Sequence, residues 1–241
     1  SKLEVLGHLI DSNGISPLPE KVVSITQYEK PQKVNDLRRY LGMLNFYRRF
    51  LPNATEYLAP LYELIPKKKT SKNAPITWTD ITSNCFENSK KALAEATYLA
   101  YPIPDAELSI ASDASGFAIG AVLQQTHAGV TTPIAFFSKK LEPAQTKYSV
   151  FGRELLGVFL AVKHFRKFIE GRKFKILTDH KPIIGAVNRP NERNIARETR
   201  QLQYISQFSP TIEHINGKDN NVADALSRSM PDCSDETSTG E

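Results

Sequence analysis

Two kinds of hydrophobic periodicity divide the chain, and each predicts a different architecture. In the first hundred residues apolar positions recur mainly at helical spacing, as at Val34, Leu37 and Leu41, and Pro52 is predicted to end that helix. Before it, EVLGHLIDSNGISP predicts a strand, an Asn-Gly turn and a second short strand, followed by a helix that opens at Pro19. Later in the chain a period of two becomes frequent, which is typical of half-buried strands. We therefore expect a mostly helical region followed by a sheet domain.

Two further helices are predicted before the sheet domain. One runs from Glu56 to Ile65 and ends before Pro66, and the next begins in WTDITSNCFENSKKALAEA with Asp80 as its N-cap. The basic run KKKTSKN between them is typical of an exposed linker. The predicted organisation is a helical region, a linker with a connecting helix, a sheet domain and a disordered acidic tail, at residues 1–66, 67–104, 105–228 and 229–241.

The second half of the chain mixes strands with helices. Its predicted strands are 107–113, 117–125, 133–139, 173–179 and 211–215. Its predicted helices are a long one within 148–171, a helical stretch around 196–207 and a short one over VADALSR. Because antiparallel neighbours are followed by strands joined through helices, we expect an α/β (α+β) fold, a mixed five-stranded sheet flanked by helices.

Composition places the chain among ordinary globular proteins. Hydrophobic residues make up 40% and aromatic residues 9% of its 241 residues. No apolar run approaches the roughly 18 residues of a membrane helix, and the first residues form a strand-like segment instead of a charged leader. Cys85 and Cys233 lie far apart, which argues against a disulfide framework or a zinc site. We expect no membrane association and a reducing compartment.

The distribution of charge favours a polyanionic partner. The chain carries +5 overall, but the tail after Arg228 has four acids and no base, so residues 1–228 hold 31 Lys and Arg against 22 Asp and Glu. Arg38 and Arg49 are eleven residues apart, about 20° on a helical wheel, and so are predicted to share one helix face. A phosphate-binding face and a solvated basic face explain this pair equally well.

Four carboxylates are candidates for one shared site. Asp113 and Asp179 end predicted strands, where they could simply start turns, and Asp224 lies in the first turn of a predicted helix, whose positive end it could stabilise. Glu154 is harder to explain locally, because it lies in the apolar stripe of the long helix, where a charge needs a partner. That stripe consists of Phe151, Leu155, Val158, Phe159, Val162 and Phe165.

A cluster of acids around two magnesium ions would explain all four carboxylates together. Hard divalent cations prefer carboxylate oxygens and offset the repulsion between neighbouring acids. Two such ions can clamp the attacking and leaving oxygens of an in-line phosphoryl displacement. The four acids therefore predict nuclease chemistry.

Several stretches, in order, carry a resemblance to a known family. SDASGFAIGAVLQQ, PIAFFSKKL, GRELLGVFLAVKHFRKFIEG, FKILTDHKPI and EHINGKDNNVADALSR resemble the ribonuclease H domain of gypsy-type long-terminal-repeat retrotransposon reverse transcriptases, over residues 105–228. Upstream, LGHLIDSNGISPLPEKVVSI and LRRYLGMLNFYRRFLPN resemble the end of the palm and the thumb of the same polymerase. The resemblance therefore assigns residues 1–66 to the end of the palm and the thumb, and covers nearly the whole chain.

The resemblance implies a magnesium-dependent endonuclease that cuts the RNA strand of RNA–DNA hybrids. Asp113 would bridge two Mg²⁺ ions, Glu154 and Asp179 would complete one metal site, and Asp224 would complete the other, with Mn²⁺ as an alternative ion. His214, ten residues before Asp224, would assist proton transfer or product release. Its other interpretation is a strand-end histidine hydrogen-bonded to a loop.

The resemblance also implies partners and a location. The substrate would be a hybrid recognised by shape and phosphates, and the fingers and palm of the polymerase would belong to the same polyprotein, in the cytoplasmic virus-like particle of a retroelement. The chain has no Asp-Asp pair, so we expect no DNA synthesis from it and interpret it as part of a larger polyprotein. The residues expected to contact nucleic acid are Arg38, Arg49, Lys139, Tyr148, Arg153, His180, Lys181 and Arg193.

Two other functions compete with the nuclease. A non-catalytic, nucleic-acid-binding connection module of a reverse transcriptase would share the fold, but the presence of all four acids argues against it. Another enzyme of the same fold, such as a resolvase or transposase, is not excluded by fold alone. The thumb-like helices upstream favour the reverse-transcriptase origin.

Overall fold

The computed structural model describes residues 2–12, 14–66, 71, 73–96, 98–188 and 195–215. The helices are α1 (Pro19–Thr26), α2 (Val34–Phe46), α3 (Ala54–Glu63), α4 (Asp80–Ala94), α5 (Val150–Ile169), α6 (Lys181–Asn188) and α7 (Ala196–Ser206), with a 3₁₀ turn at Arg48–Phe50. The strands are β1 (Leu3–Val5), β2 (His8–Ile10), β3 (Ile15–Pro17), β4 (Glu107–Ala114), β5 (Ala118–His127), β6 (Val130–Lys140), β7 (Phe174–Thr178) and β8 (Thr211–His214). Helices dominate the first part and the larger sheet lies in the second, as predicted.

The first predicted strand is in fact a hairpin. β1 and β2 are antiparallel and are joined by Leu6 and Gly7, whose φ angles are +48° and +78°. Two residues with positive φ make the tight turn that suits a two-residue hairpin. Leucine rarely adopts this conformation, so Leu6 does not indicate a turn in the sequence, and Gly7 alone did not lead to the prediction of one.

The helix predicted to continue to Pro52 ends earlier, at Phe46. A 3₁₀ turn follows, and it buries Tyr47 and Phe50 against the ring of His8, while the Tyr47 hydroxyl donates a hydrogen bond to the Gly7 carbonyl at 2.9 Å. Packing of these aromatic rings thus overrides the helical pattern. The prediction that Arg38 and Arg49 share one helix face is therefore wrong.

The start of α4 also differs from its prediction by one residue. The N-cap is Thr79, whose hydroxyl accepts a hydrogen bond from the Thr82 backbone, while the Thr82 hydroxyl accepts one from the Thr79 backbone. Asp80 is the first helical residue, where its charge favours the positive end of the helix. The reciprocal pair of threonines satisfies two backbone donors and so fixes the helix start.

Within the described residues the larger sheet has five strands, in the order β6-β5-β4-β7-β8. The pairs β4–β5 and β5–β6 are antiparallel, whereas β4–β7 and β7–β8 are parallel. The predicted mixed five-stranded sheet flanked by helices is therefore confirmed. Among the described helices, none has the length and apolar character needed to cross a membrane.

Each face of this sheet is covered by a different part of the chain. Leu108 and Ile110 of β4 pack into a core that includes residues of α5 and α7. On the opposite face, Ala111, Val122 and Phe136 belong to one hydrophobic core with buried side chains of α2, α3 and α4. The helical region is thus the second layer on the sheet, and the core crosses the boundary predicted near residue 105.

The segment that joins the two regions is held by side chains of the sheet domain. Gln125 accepts a hydrogen bond from the Ile103 backbone at 2.9 Å and donates one to the Tyr101 carbonyl at 2.8 Å. One nitrogen of Arg172 lies 2.7–3.1 Å from the carbonyls of Ile103, Pro104 and Ala106. The connection is therefore fixed to the sheet and does not behave as a free tether.

Polar contacts of Arg48 join the helical region to strand β6. Replacing Arg48 should therefore lower the free energy of unfolding more than replacing its neighbour Arg49. The Arg48 guanidinium donates to the Thr55 hydroxyl at 2.6 Å and to the Ser138 carbonyl at 2.9 Å, whereas exposed Arg49 stacks on Phe50. We expect Arg48→Ala to lower the free energy of unfolding by about 2–4 kcal/mol, because charged hydrogen bonds in a partly buried site are lost. Urea denaturation measures this.

Arg49→Ala is the matched control for that prediction. Loss of an exposed cation–π contact should cost less than about 1 kcal/mol. Equal destabilisation by the two substitutions would show that the contact between Arg48 and β6 adds no stability of its own.

Candidate active site

The register of two parallel strands brings Asp113 and Asp179 together. Ala111 of β4 pairs with Leu177 of β7, and each aspartate lies two residues further along its strand direction. Neighbouring strands are about 4.8 Å apart, and a shift of two residues keeps both side chains on one face. The two acids therefore meet at the carboxyl ends of β4 and β7, as the sequence predicts for strand-end acids.

Glu154 reaches the same place from a helix. It lies in the second turn of α5, which starts at the N-cap Ser149, and only 7% of its surface is exposed. Its neighbours Leu155 and Val158 are fully buried in the core beneath the helix. The apolar stripe thus holds α5 against the sheet and carries the carboxylate with it.

Burial and neighbouring negative charges change the pKa values of Asp113 and Glu154. Burial, and after it the negative charges of Asp113 and Asp179, raise the pKa of Glu154 from 4.5 to about 8, against the opposing effects of the Ala114 backbone N–H and of Arg153. Burial by surrounding protein atoms raises the pKa of Asp113, as does the charge of Asp179, although solvent still reaches its side chain. The site therefore concentrates negative charge that the described residues only partly compensate.

This donor set fits a hard divalent cation in its chemistry. All three side chains offer carboxylate oxygens, and a bound cation would relieve the repulsion that raises the pKa values. Within the described stretches no group of three His, Cys, Asp or Glu side chains is already arranged so that it could hold a metal ion. The fit therefore rests on ligand type and charge, and Asp224 lies outside the described residues.

His214 lies beside the aspartates, one strand further along the sheet. It is the last residue of β8 and pairs with Thr178, which directly precedes Asp179. Its side chain is exposed. β4, β7 and β8 thus present an aspartate, an aspartate and a histidine at the same end of three adjacent strands.

The predicted nucleic-acid contacts near the N-terminus of α5 are already engaged within the protein. Arg153 donates to the Tyr148 carbonyl at 2.9 Å. The guanidinium carbon of Arg197 lies 3.5 Å from the centroid of the Tyr148 ring, and Arg197 also contacts the buried carboxylate of Glu198 at 3.2 Å. Sequence reasoning missed Arg197, whose only signal was the basic and polar segment that opens α7.

The other predicted contacts are spread over the molecule. His180 is half-buried near Phe151, with a ring separation of 6.1 Å, and Lys181 is exposed at the start of α6, next to Asp179. Lys139 is half-buried on β6, and Arg193 lies outside the described residues. Arg38 and Arg49 are exposed on the helical region. His180 and Lys181 are thus the predicted contacts that directly follow an active-site aspartate, and of the two Lys181 is the exposed one.

Comparison with known proteins identifies the region that carries these acids. Residues 78–176 match the RNase H-like domain found in reverse transcriptase. The chain therefore contains an RNase H-like domain of the kind found in reverse transcriptase. The matched stretch includes Asp113 and Glu154, and it starts before α4, in the helical region that packs on the sheet.

Similar sequences occur in transposon polyproteins. The chain is 35% identical over 223 residues to the retrovirus-related Pol polyprotein from transposon 412 of Drosophila melanogaster, covering 92% of this chain and 18% of that protein. It is 32% identical over 231 residues to the transposon Tf2-3 polyprotein of Schizosaccharomyces pombe, covering 95% of this chain and 17% of that protein. The ribonuclease H-like chain therefore spans less than a fifth of these relatives.

Solved structures of a foamy viral protease–reverse transcriptase share the fold. The complex with double-stranded DNA superimposes with a TM-score of 0.73 at 22% identity, over 90% of this chain and 45% of that one. The complex with an RNA/DNA hybrid gives 0.70 at 20% identity, over 100% of this chain and 31% of that one. Helical region and sheet domain thus both have counterparts in these proteins.

Proposed function

We propose that the chain hydrolyses the RNA strand of RNA–DNA hybrids endonucleolytically, as the ribonuclease H part of a gypsy-type retrotransposon polyprotein. The observation that carries this is the meeting of Asp113, Asp179 and nearly buried Glu154 at one end of the sheet. Burial and neighbouring negative charge raise the pKa values of Asp113 and Glu154, which makes this group of acids costly to keep in a fold, and a site for divalent cations accounts for it. Strands β4 and β7 and helix α5 supply their positions.

Each acid has a role in this proposal. Asp113 would contact both of two Mg²⁺ ions, Glu154 and Asp179 would hold one, and Asp224 would hold the other. The bound ions would supply activation of water and stabilisation of the departing 3′ oxygen. His214, exposed at the end of β8 and paired with Thr178, would assist proton transfer or product release.

The substrate class follows from shape and charge. A hybrid offers phosphates and 2′-hydroxyls but little readable sequence in its grooves, so basic side chains near the site suffice for recognition. In this proposal Lys181, two residues after Asp179, and Arg197, which lies over the Tyr148 ring, would contact its backbones. The fingers and palm in the same polyprotein, and a cytoplasmic virus-like particle, are part of this proposal.

The test is cleavage of a labelled RNA strand annealed to DNA, in Mg²⁺ and in EDTA, by the full chain and by its Asp113→Asn variant. We expect cutting that requires both the metal and Asp113. The same RNA in an RNA–RNA duplex is the substrate control and should remain intact. If the unmodified chain binds the hybrid but cuts nothing in Mg²⁺, the catalytic proposal fails for this chain.

A second candidate function is a non-catalytic module that binds nucleic acid. One observation favours it: among the described residues, no three potential ligands already converge on a metal position. Measuring hybrid binding beside cleavage separates the two functions, because this module would bind the hybrid equally well in Mg²⁺ and in EDTA and leave it uncut.

A further inference from the structure

Three residues on neighbouring strands form a row that leads from the candidate active site to the helical region. Asp113 of β4 is directly opposite Gly120 of β5, and Gly120 is directly opposite Ser138 of β6. Residues that face each other across strands point to the same side of the sheet. With strands about 4.8 Å apart, Ser138 lies about 10 Å from Asp113. We name these three residues the Asp113 row.

The helical region rests on this row through the start of α3. A Cβ atom added to Gly120 would lie 2.1 Å from the Asn53 side-chain oxygen, and its three nearest atoms would all belong to Asn53. Asn53 itself has a φ of +42°, a left-handed conformation that asparagine tolerates better than most residues. The absence of a side chain at Gly120 therefore makes room for Asn53.

The far end of the row continues the same contact. The Ser138 hydroxyl accepts hydrogen bonds from the Thr55 backbone at 3.1 Å and from the Thr55 hydroxyl at 3.0 Å, and Arg48 binds the Ser138 carbonyl. Ser138 and Thr55 are both buried. We call the contacts of Asn53, Thr55 and Arg48 with Gly120 and Ser138 the seat.

Beyond the seat the two layers separate. A groove of about 730 Å³ opens between α3 and the end of β6, with Leu58, Ala59 and Tyr62 on its helical side. The ion pair that spans it, Lys140 with Glu63, is half-exposed on both sides and so contributes little. At this end of the sheet the seat therefore adds specific polar and steric contacts to the hydrophobic core that Val122 and Phe136 share with the helical region.

We propose that the seat sets the position of the helical region's exposed arginines relative to the nuclease site, with Asn53, Gly120 and Ser138 as positioning residues. The inference rests on the proposed function of that site. Arg38 and Arg39 of α2 and Arg49 are exposed, and no contact within the seat uses them. A hybrid long enough to reach both surfaces gains phosphate contacts at each, provided that their separation matches the duplex.

Substrate length separates positioning from a general effect on the fold. A hybrid of about 20 base pairs, at roughly 3 Å per pair, is longer than a globule of this size, whereas one of about 6 base pairs contacts only part of it. The full chain and its variants are compared with both hybrids, by fluorescence anisotropy in EDTA and by initial cleavage rates in Mg²⁺. Gly185→Ala is the matched control, since nothing lies within 4 Å of a Cβ at that position.

Gly120→Ala should weaken binding of the long hybrid and raise its KM by about 3- to 10-fold, while its kcat and the affinity for the short hybrid stay unchanged. Asn53→Gly keeps the left-handed backbone accessible and removes the obstructing atoms. The double variant Asn53→Gly/Gly120→Ala should therefore bind the long hybrid like Asn53→Gly alone. Gly185→Ala should match the unmodified chain.

Equal losses on both hybrids, or additive losses in the double variant, would overturn the proposal. If Gly120→Ala does not fold, Ser138→Ala takes its place, because it removes only the hydroxyl at the far end of the row. If Ser138→Ala then prefers the long hybrid as strongly as the unmodified chain does, the proposal that the seat positions the helical region is refuted. The anisotropy arm needs no catalysis. An unmodified chain that prefers the long hybrid but cuts nothing contradicts the proposed function and leaves the positioning inference standing.

Discussion

Replacing Glu154 by glutamine is expected to abolish hybrid cleavage, by about a thousandfold or more, and at the same time to stabilise the metal-free protein. Burial and two neighbouring acids raise the pKa of this carboxyl from 4.5 to about 8. The folded state therefore holds the proton more tightly than the unfolded state does. For this group, stability is fully present below pH 4.5 and is lost as the pH rises through about 8.

Glutamine keeps the shape of Glu154 but never acquires the charge. In EDTA at pH 7.5 the variant should therefore unfold with a free energy about 1–3 kcal/mol larger than that of the unmodified chain, and the difference should vanish near pH 4.5. Urea denaturation at several pH values measures it. Loss of function with a gain in stability is the signature of an acid kept for chemistry.

Glu198→Gln is the matched control. Glu198 is also a buried helical carboxylate, but it contacts Arg197 at 3.2 Å. Removing its charge leaves the guanidinium without that partner, so this variant should be less stable than the unmodified chain at pH 7.5. If Glu154→Gln were destabilising in EDTA to the same degree, Glu154 would be a structural residue like Glu198.

The candidate site was largely predictable because its positions follow from local patterns. A period of two places Asp113 and Asp179 at strand ends, and a helical stripe places Glu154 toward the sheet. Parallel pairing of β4 and β7 then brings the two aspartates to one end of the sheet, and the packing of α5 brings Glu154 there. Their assignment as catalytic residues stays a prediction, as does that of Asp224.

Other features depend on contacts between distant parts of the chain, which local patterns do not encode. The end of α2 is set by aromatic packing on the β1–β2 hairpin, and Arg48 finds its partner Ser138 ninety positions later. The stacking of Arg197 on Tyr148 likewise joins α7 to the segment before α5. In each case tertiary packing decides the geometry. The sequence could therefore indicate helix ends and basic side chains, but not the distant residues that these contact.

The hydrophobic core that crosses the predicted boundary has a large expected consequence. A protein of residues 105–241 alone should not form the native sheet domain, because Ala111, Val122 and Phe136 would lose the helices that cover them. Arg48 and Thr55, the partners of Ser138, would also be missing. We expect residues 105–241 alone to bind the dye ANS and to lose cooperative thermal unfolding, whereas the full chain should unfold in one transition.

A second truncation separates the loss of this cover from the loss of the small β1–β3 sheet. Residues 18–241 retain α1 to α4, the 3₁₀ turn and therefore the layer on the sheet, and should still unfold cooperatively, although without the contacts of Tyr47 and Phe50 to the hairpin. If residues 105–241 alone unfolded in one sharp transition at the temperature of the full chain, the face of the sheet would have another cover. The helical region would then be an addition to a complete domain, and Asp113 would not depend on it for its place.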